Sequence, residues 1–276
     1  MQETLNKTEK SDSHRLSFIK LLPNILTIIS ICCGMTAVKY ALDSHWENAL
    51  LSIIIAACFD VLDGATARML KASSRFGAEL DSLADAVNFG VIPSIIIYFW
   101  LKDITGSNFD SYYLGWTWVA CTLFTACCLL RLARFNISSN SEPSWRDNFF
   151  EGVPSPAGGI LVLTPLIISL SGFNYFKLNY DIIVPVFFIL TSFLLISKFP
   201  TYSFKKIVIP RRTTIFLLFS IVLFFGLLLI YTFNVIALSS VIYVLLLPIS
   251  FIHYQRIKKQ HENDRIQDED DLEDVL

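Results

Sequence analysis

Apolar residues come in runs of about 20, separated by short polar breaks, along most of this 276-residue chain. Helices of that length cross the hydrocarbon core of a bilayer, whereas barrel strands would show shorter, alternating segments. The pattern predicts eight helical spans, at roughly 20–42, 48–70, 80–101, 113–134, 156–171, 181–197, 213–232 and 234–252, the fifth and sixth being the shortest. The expected fold class is an all-α, polytopic membrane helix bundle.

The flanks differ from the spans. Residues 1–19 are expected to be a cytoplasmic segment, disordered over 1–14. From Arg15 to Leu22 apolar groups recur at helical spacing around Arg15 and Lys20. That fits either an interfacial helix, turned into the membrane at Pro23, or a plain extension of the first span. Residues 20–255 form the membrane domain, with a long cytoplasmic loop at 136–155. Residues 256–276 form an acidic tail, with eight acids against one Arg between Glu262 and Asp274, expected to be solvated and disordered.

Composition excludes an ordinary soluble domain: 54% of residues are hydrophobic and the mean hydropathy is +0.55. Charge sets the orientation. With the N-terminus inside, all but three of the 22 Lys and Arg (Lys39, Lys102 and Lys177) fall on the cytoplasmic side. The loops there carry Lys71, Arg75, Arg146, Lys198, Lys205, Lys206, Arg211 and Arg212, so both termini are expected to be cytoplasmic. The six cysteines (Cys32, Cys33, Cys58, Cys121, Cys127 and Cys128) lie inside apolar runs and read as small packing groups, not as a disulfide framework or zinc site. The N-terminus lacks the pattern of a cleavable signal peptide.

Four carboxylates interrupt this apolar pattern: Asp60, Asp63, Asp81 and Asp85. Acids are costly in membrane segments and mark function there by default. Asp60 and Asp63, three apart, share a face of the second span with Gly64 and Ala67; Asp81 and Asp85, four apart, share a face of the third. The basic turn from Arg68 to Arg75 places both pairs near the cytoplasmic ends of two antiparallel helices. Oxygen ligands at this density suit Mg²⁺ or Mn²⁺, with room for two ions. Gly64, Ala67 and Gly77 let a bulky ligand approach the backbone, and Arg68 suits phosphate oxygens. The alternative is a set of interfacial salt bridges with Arg68, Lys71 and Arg75.

Residues 60–85 read Asp-x2-Asp-Gly-x2-Ala-Arg-x8-Gly-x3-Asp-x3-Asp. This resembles, without departure, the signature of the CDP-alcohol phosphatidyltransferase family. The resemblance implies that Asp60, Asp63 and Asp81 are metal ligands and that Asp85 is both ligand and catalytic base. It also implies that Gly64, Ala67 and Gly77 contact the nucleotide and Arg68 the diphosphate. Pro23-Asn24-Ile25-Leu26-Thr27 resembles the start of the first span in that family, which adds Asn24 and Thr27 to the nucleotide site; helix entry with local capping is an equal reading.

The segments Arg131-Leu132-Ala133-Arg134-Phe135-Asn136 and Gly152-Val153-Pro154-Ser155-Pro156-Ala157 resemble the serine-accepting branch of the family, although Gly158 stands where a second alanine is usual. Ser155 before Pro156 reads as an N-cap, which would leave the N–H groups of Ala157, Gly158 and Gly159 free for an acceptor carboxylate. Arg131 and Arg134 would add positive charge; membrane anchoring and plain capping are the other readings. The implied reaction is transfer of the phosphatidyl group from CDP-diacylglycerol to L-serine, giving phosphatidylserine and CMP. Other acceptors in the family are glycerol 3-phosphate, inositol phosphate or choline. In a different class, a divalent-cation transporter also carries membrane aspartates, but normally at mid-membrane. The resemblance further implies a homodimer, and the setting a bacterial cytoplasmic membrane with the active site facing inward.

Overall fold

The computed structural model describes residues 2–72, 74–106, 111–138, 149–172, 179–197, 200–202, 211–250 and Gln255. The acidic tail, Arg146, Lys177, Lys198, Lys205 and Lys206 lie outside the described residues. A helix stands at each of the eight expected spans. In chain order they are α1 (Gln2–Leu42), α2 (Trp46–Met69), α3 (Arg75–Asp85), α4 (Ile92–Thr105), α5 (Ser111–Ser138), α6 (Ser155–Leu170), α7 (Tyr180–Ile196), α8 (Arg211–Ile230) and α9 (Thr232–Ser250). A π-helical turn, Ala86–Val91, joins α3 to α4 into one 31-residue span.

Among the described residues, five spans are long and apolar enough to cross a membrane: Leu21–Leu42, Trp46–Met69, Arg75–Thr105, Leu114–Ile137 and Thr232–Ser250. Helix α6 has 16 residues and α7 has 17, which is about 25 Å of length and short of a full hydrocarbon crossing. The outward faces are as apolar as the core. On α7, Val184, Phe188, Thr191, Ser192 and Leu195 are buried while Ile182, Val186, Ile189, Leu190 and Phe193 are exposed. Lipid, not water, solvates such a face, and the protein is an integral membrane protein.

Of the two readings of Arg15–Leu22, the structure has the extension: α1 runs from Gln2 through Pro23 without a turn there. A proline costs one intrahelical bond, and the flanking Leu, Lys and Ile residues keep the helix going. A short ribbon was not foreseen: β1 (Phe149–Glu151) pairs antiparallel with β2 (Pro200–Tyr202), with Phe150 opposite Thr201. Strands of three residues carry too little alternation to be read from sequence.

The first two connections are tight. Ser44 (φ 58°) and Lys71 (φ 47°) are left-handed residues after α1 and α2. At the first, the His45 N–H reaches the Tyr40 carbonyl at 2.9 Å; at the second, the Ala72 N–H reaches that of Ala67 at 2.9 Å. Both are Schellman stops, which reverse the chain at once. Lys39, one of the bases on the unexpected side, is paired with Asp43 at 2.8 Å. At the same end the Trp46 indole donates to Asp103 at 3.2 Å, tying the start of α2 to the end of α4.

The core forms where α4 meets α5, α6 and α7. Trp100 packs edge-on against Tyr180 at 5.1 Å and Phe124 against Phe188 at 5.5 Å. In the π turn the Gly90 carbonyl accepts from Ser94 Oγ at 2.9 Å and Thr125 Oγ1 at 3.1 Å. Hydroxyls of α4 and α5 thus tie both helices to the π turn. Before α6, Gly152 (φ 79°) lies so close to the end of α7 that a Cβ would sit 2.9 Å from the carbonyl oxygens of Leu195 and Ser197. Gly152→Ala is expected to destabilise the protein by about 2–3 kcal/mol, read as a lower Tm in detergent; an unchanged Tm would refute that packing.

Candidate active site

The stop at Lys71 and the cap at Ser74, whose Oγ accepts from the Gly77 N–H at 3.0 Å, set α3 alongside the end of α2. One carboxylate oxygen from each of Asp60, Asp63 and Asp81 then lies within 4.8 Å of the others. The Asp85 carboxyl lies beside that of Asp60. Asp63 is buried, and Asp60 Oδ1 and Asp63 Oδ2 are buried oxygens without a hydrogen-bond partner.

Among the described residues, none of the four acids is ion-paired with Arg68, Lys71 or Arg75; the ion pair present is Lys39–Asp43. Interfacial salt bridges therefore do not account for the cluster. Carboxylates this close repel one another, and buried acceptors without donors are unfavourable. A hard divalent cation satisfies both, so this donor set fits one.

Helix α1 walls the cluster. Thr27 Oγ1 donates to the Pro23 carbonyl at 3.1 Å and lies close to Asp63. Asn24 faces Gly77, where a Cβ would come within 2.9 Å of Asn24 Oδ1. Beside Gly64 a Cβ would meet nothing within 4 Å, so the α2 backbone is open there. Ala67 is half-buried, and the exposed Arg68 folds back along α2, its Nε donating to the Gly64 carbonyl at 3.1 Å.

Below the carboxylates lies a layer that the sequence reading missed. Asn88, in the π turn, donates through Nδ2 to Ser30 Oγ at 2.8 Å, and Ser30 donates to the Ala56 carbonyl at 2.8 Å. This links α1, α2 and the π turn one helical turn beneath Asp60 and Asp85. Gly34 makes room for it, since a Cβ there would be 2.2 Å from Asn88 Oδ1. The available signal was a lone Asn in an apolar run, three residues after Asp85 and seven after Asp81.

On the opposite side, Arg131 Nη1 donates to Ser155 Oγ at 2.8 Å, and both residues are buried. Arg131 is within electrostatic range of Asp85. Arg134 divides its guanidinium: Nη1 caps α7 through the Ile196 carbonyl at 3.0 Å, while Nη2 is buried without a partner. The N-cap reading of Ser155 is corrected, because Pro154 occupies that position and Ser155 is the first helical residue, its hydroxyl taken by Arg131. Nor are the three expected N–H groups all free. Gly158 N–H bonds the Pro154 carbonyl at 2.9 Å, and Gly158 and Gly159 pack tightly on Leu195 and Phe89.

Fold and centre together define an integral membrane protein with an acidic, metal-competent centre between two adjacent helices. The family model for CDP-alcohol phosphatidyltransferase matches residues 20–190, over half the chain, and this chain belongs to that family. Relatives within it include the CDP-diacylglycerol–serine O-phosphatidyltransferase of Mycobacterium leprae, 37% identical over 206 residues that cover 74% of this chain and 65% of the relative. The enzymes of the same name from Helicobacter pylori and Bacillus subtilis are 34% and 33% identical, covering 68% and 67% of this chain and 74% and 92% of the relatives. The chain spans between half and two thirds of the length of the mycobacterial relatives.

Proposed function

We propose that this protein transfers the phosphatidyl group of CDP-diacylglycerol to L-serine, forming phosphatidylserine and CMP. The observation that carries this reading is the buried Arg131–Ser155 pair beside Asp85, in a chain whose relatives bear the name of that activity. It offers an amino-acid acceptor a cation next to a candidate base.

Asp60, Asp63 and Asp81 would hold one or two divalent ions, Mg²⁺ or Mn²⁺, with Asp85 at the edge of the set. Bound there, the metal neutralises charge on the diphosphate. Asn24, Thr27, Gly64, Ala67 and Gly77 line the cytidine side, and Arg68 can swing its guanidinium from the Gly64 carbonyl onto phosphate oxygens. Asp85 accepts the proton of the serine hydroxyl. The oxygen then attacks the lipid-side phosphorus in line, and the bond to the CMP oxygen breaks with its electron pair leaving on CMP. The centre faces the cytoplasm, where its basic turn lies by the positive-inside rule.

The test is to incubate the purified protein in lipid with CDP-diacylglycerol, labelled L-serine and Mn²⁺ or Mg²⁺, following labelled lipid and CMP. Metal-dependent appearance of both, in equal amounts, is expected. CMP release with glycerol 3-phosphate, inositol phosphate or choline but not serine would overturn the acceptor. No CMP with any acceptor from folded protein would overturn the transferase reading.

A further inference from the structure

Helix α9 lies outside the residues matched by the family, yet it reaches the acceptor side of the centre. Its inward stripe is Phe233, Ile236, Ala237, Ser240, Tyr243 and Leu247, spaced at the helical period and packed on the core. Most of that stripe is apolar or satisfies itself, since Ser240 bonds the Ile236 carbonyl at 2.9 Å. Tyr243 is different: its ring is half-buried while its hydroxyl oxygen is fully buried without a hydrogen-bond partner. Tyr243 is within electrostatic range of Arg131.

Arg131 is in electrostatic range of both Arg134 and Tyr243. Arg131 Nε, Arg134 Nη2 and Tyr243 Oη are all buried and unpartnered. Arg131, only 8% exposed, has no carboxylate within ion-pairing distance among the described residues. A buried cation beside idle donors is unfavourable until an anion with acceptor oxygens arrives. Asp85 is in electrostatic range of Arg131 but makes no ion pair with it. The diphosphate belongs on the far side, by Gly64 and Arg68. What remains to be recognised here is a small, singly charged group on the acceptor.

We propose that Tyr243 is a specificity-determining residue, its hydroxyl donating to the acceptor carboxylate that the buried Arg131 pairs with. This assignment rests on serine being the acceptor. A planar carboxylate offers lone pairs enough for the Arg131 Nε–H and the Tyr243 O–H together. The hydroxyl gives no such bond to acceptors without a carboxylate, whose binding leaves Arg131 and Tyr243 as unsatisfied as before.

The experiment compares the wild-type full-length protein with Tyr243→Phe, which removes a single oxygen. Expected is a rise in the KM for L-serine of about tenfold, the loss of one charge-assisted hydrogen bond, with kcat and the KM for CDP-diacylglycerol within about twofold. L-Alanine, which keeps the carboxylate but lacks the attacking hydroxyl, should weaken as a competitive inhibitor by the same factor. Ethanolamine, which has no carboxylate, should inhibit both proteins equally. Tyr243→His, which keeps a donor, should recover part of the serine KM and serves if Tyr243→Phe fails to fold. An unchanged serine KM in Tyr243→Phe overturns the assignment, as does an equal loss for L-alanine and ethanolamine, the mark of a packing role. If the wild-type protein itself turns over another alcohol and not serine, the acceptor reading falls and this role with it. Serine turnover by wild type with no Tyr243 effect removes this role alone.

Discussion

Asp85→Asn is expected to lower CMP release roughly 10³-fold while nucleotide binding persists. The substitution keeps size and shape, so α3 and its π-helical exit should be unaffected. What changes is proton capacity, because an amide cannot take a proton from the acceptor hydroxyl. Asp85 is an electrostatic neighbour both of Asp60 and of Arg131, which holds Ser155. It is therefore the carboxylate of the four best placed to meet an acceptor. The measurement is single-turnover CMP release at saturating serine, beside CDP-diacylglycerol binding by the same preparation. Wild-type turnover in Asp85→Asn would exclude it as the base.

Metal removal has the second large effect, and in the wild-type protein it should lower both activity and stability. Chelation should abolish turnover, with recovery on adding Mn²⁺ or Mg²⁺. In stability, a metal at a hundred times its Kd should add about 2.7 kcal/mol to the wild-type protein. Asp81→Asn should lose most of that metal-induced gain. Without metal, however, the variant should be the more stable by about 1–2 kcal/mol, because one of three mutually repelling carboxylates is gone. Thermal melts with and without metal distinguish this from ordinary misfolding, which lowers Tm in both conditions. A variant less stable than wild type in chelator would mean that Asp81 makes a structural bond, not a ligand set.

Much of this was legible in the chain because it depends on local geometry. The 3.6-residue period alone puts Asp60 with Asp63 and Asp81 with Asp85, and one short turn then brings the pairs face to face. Each of the eight predicted spans contains a helix, since backbone groups in lipid have no other partner than their own helix. The π turn was not legible, because one inserted residue leaves no compositional mark. The N-cap assignment at Ser155 failed for a related reason. A hydroxyl beside a helix start can cap or bond elsewhere, and here a buried guanidinium 24 residues earlier in the chain competes for it.

By itself, then, the sequence determined the membrane helices, the carboxylate hairpin and the small residues that keep one side of it open. Only the tertiary structure decided that Arg131 reaches Ser155, that Arg134 gives half its guanidinium to the end of α7, and that Tyr243 comes in from the last helix. The physical reason is range. Helix geometry fixes neighbours three or four residues apart, whereas contacts between α5, α6, α7 and α9 follow from how whole faces pack, and no short pattern encodes that.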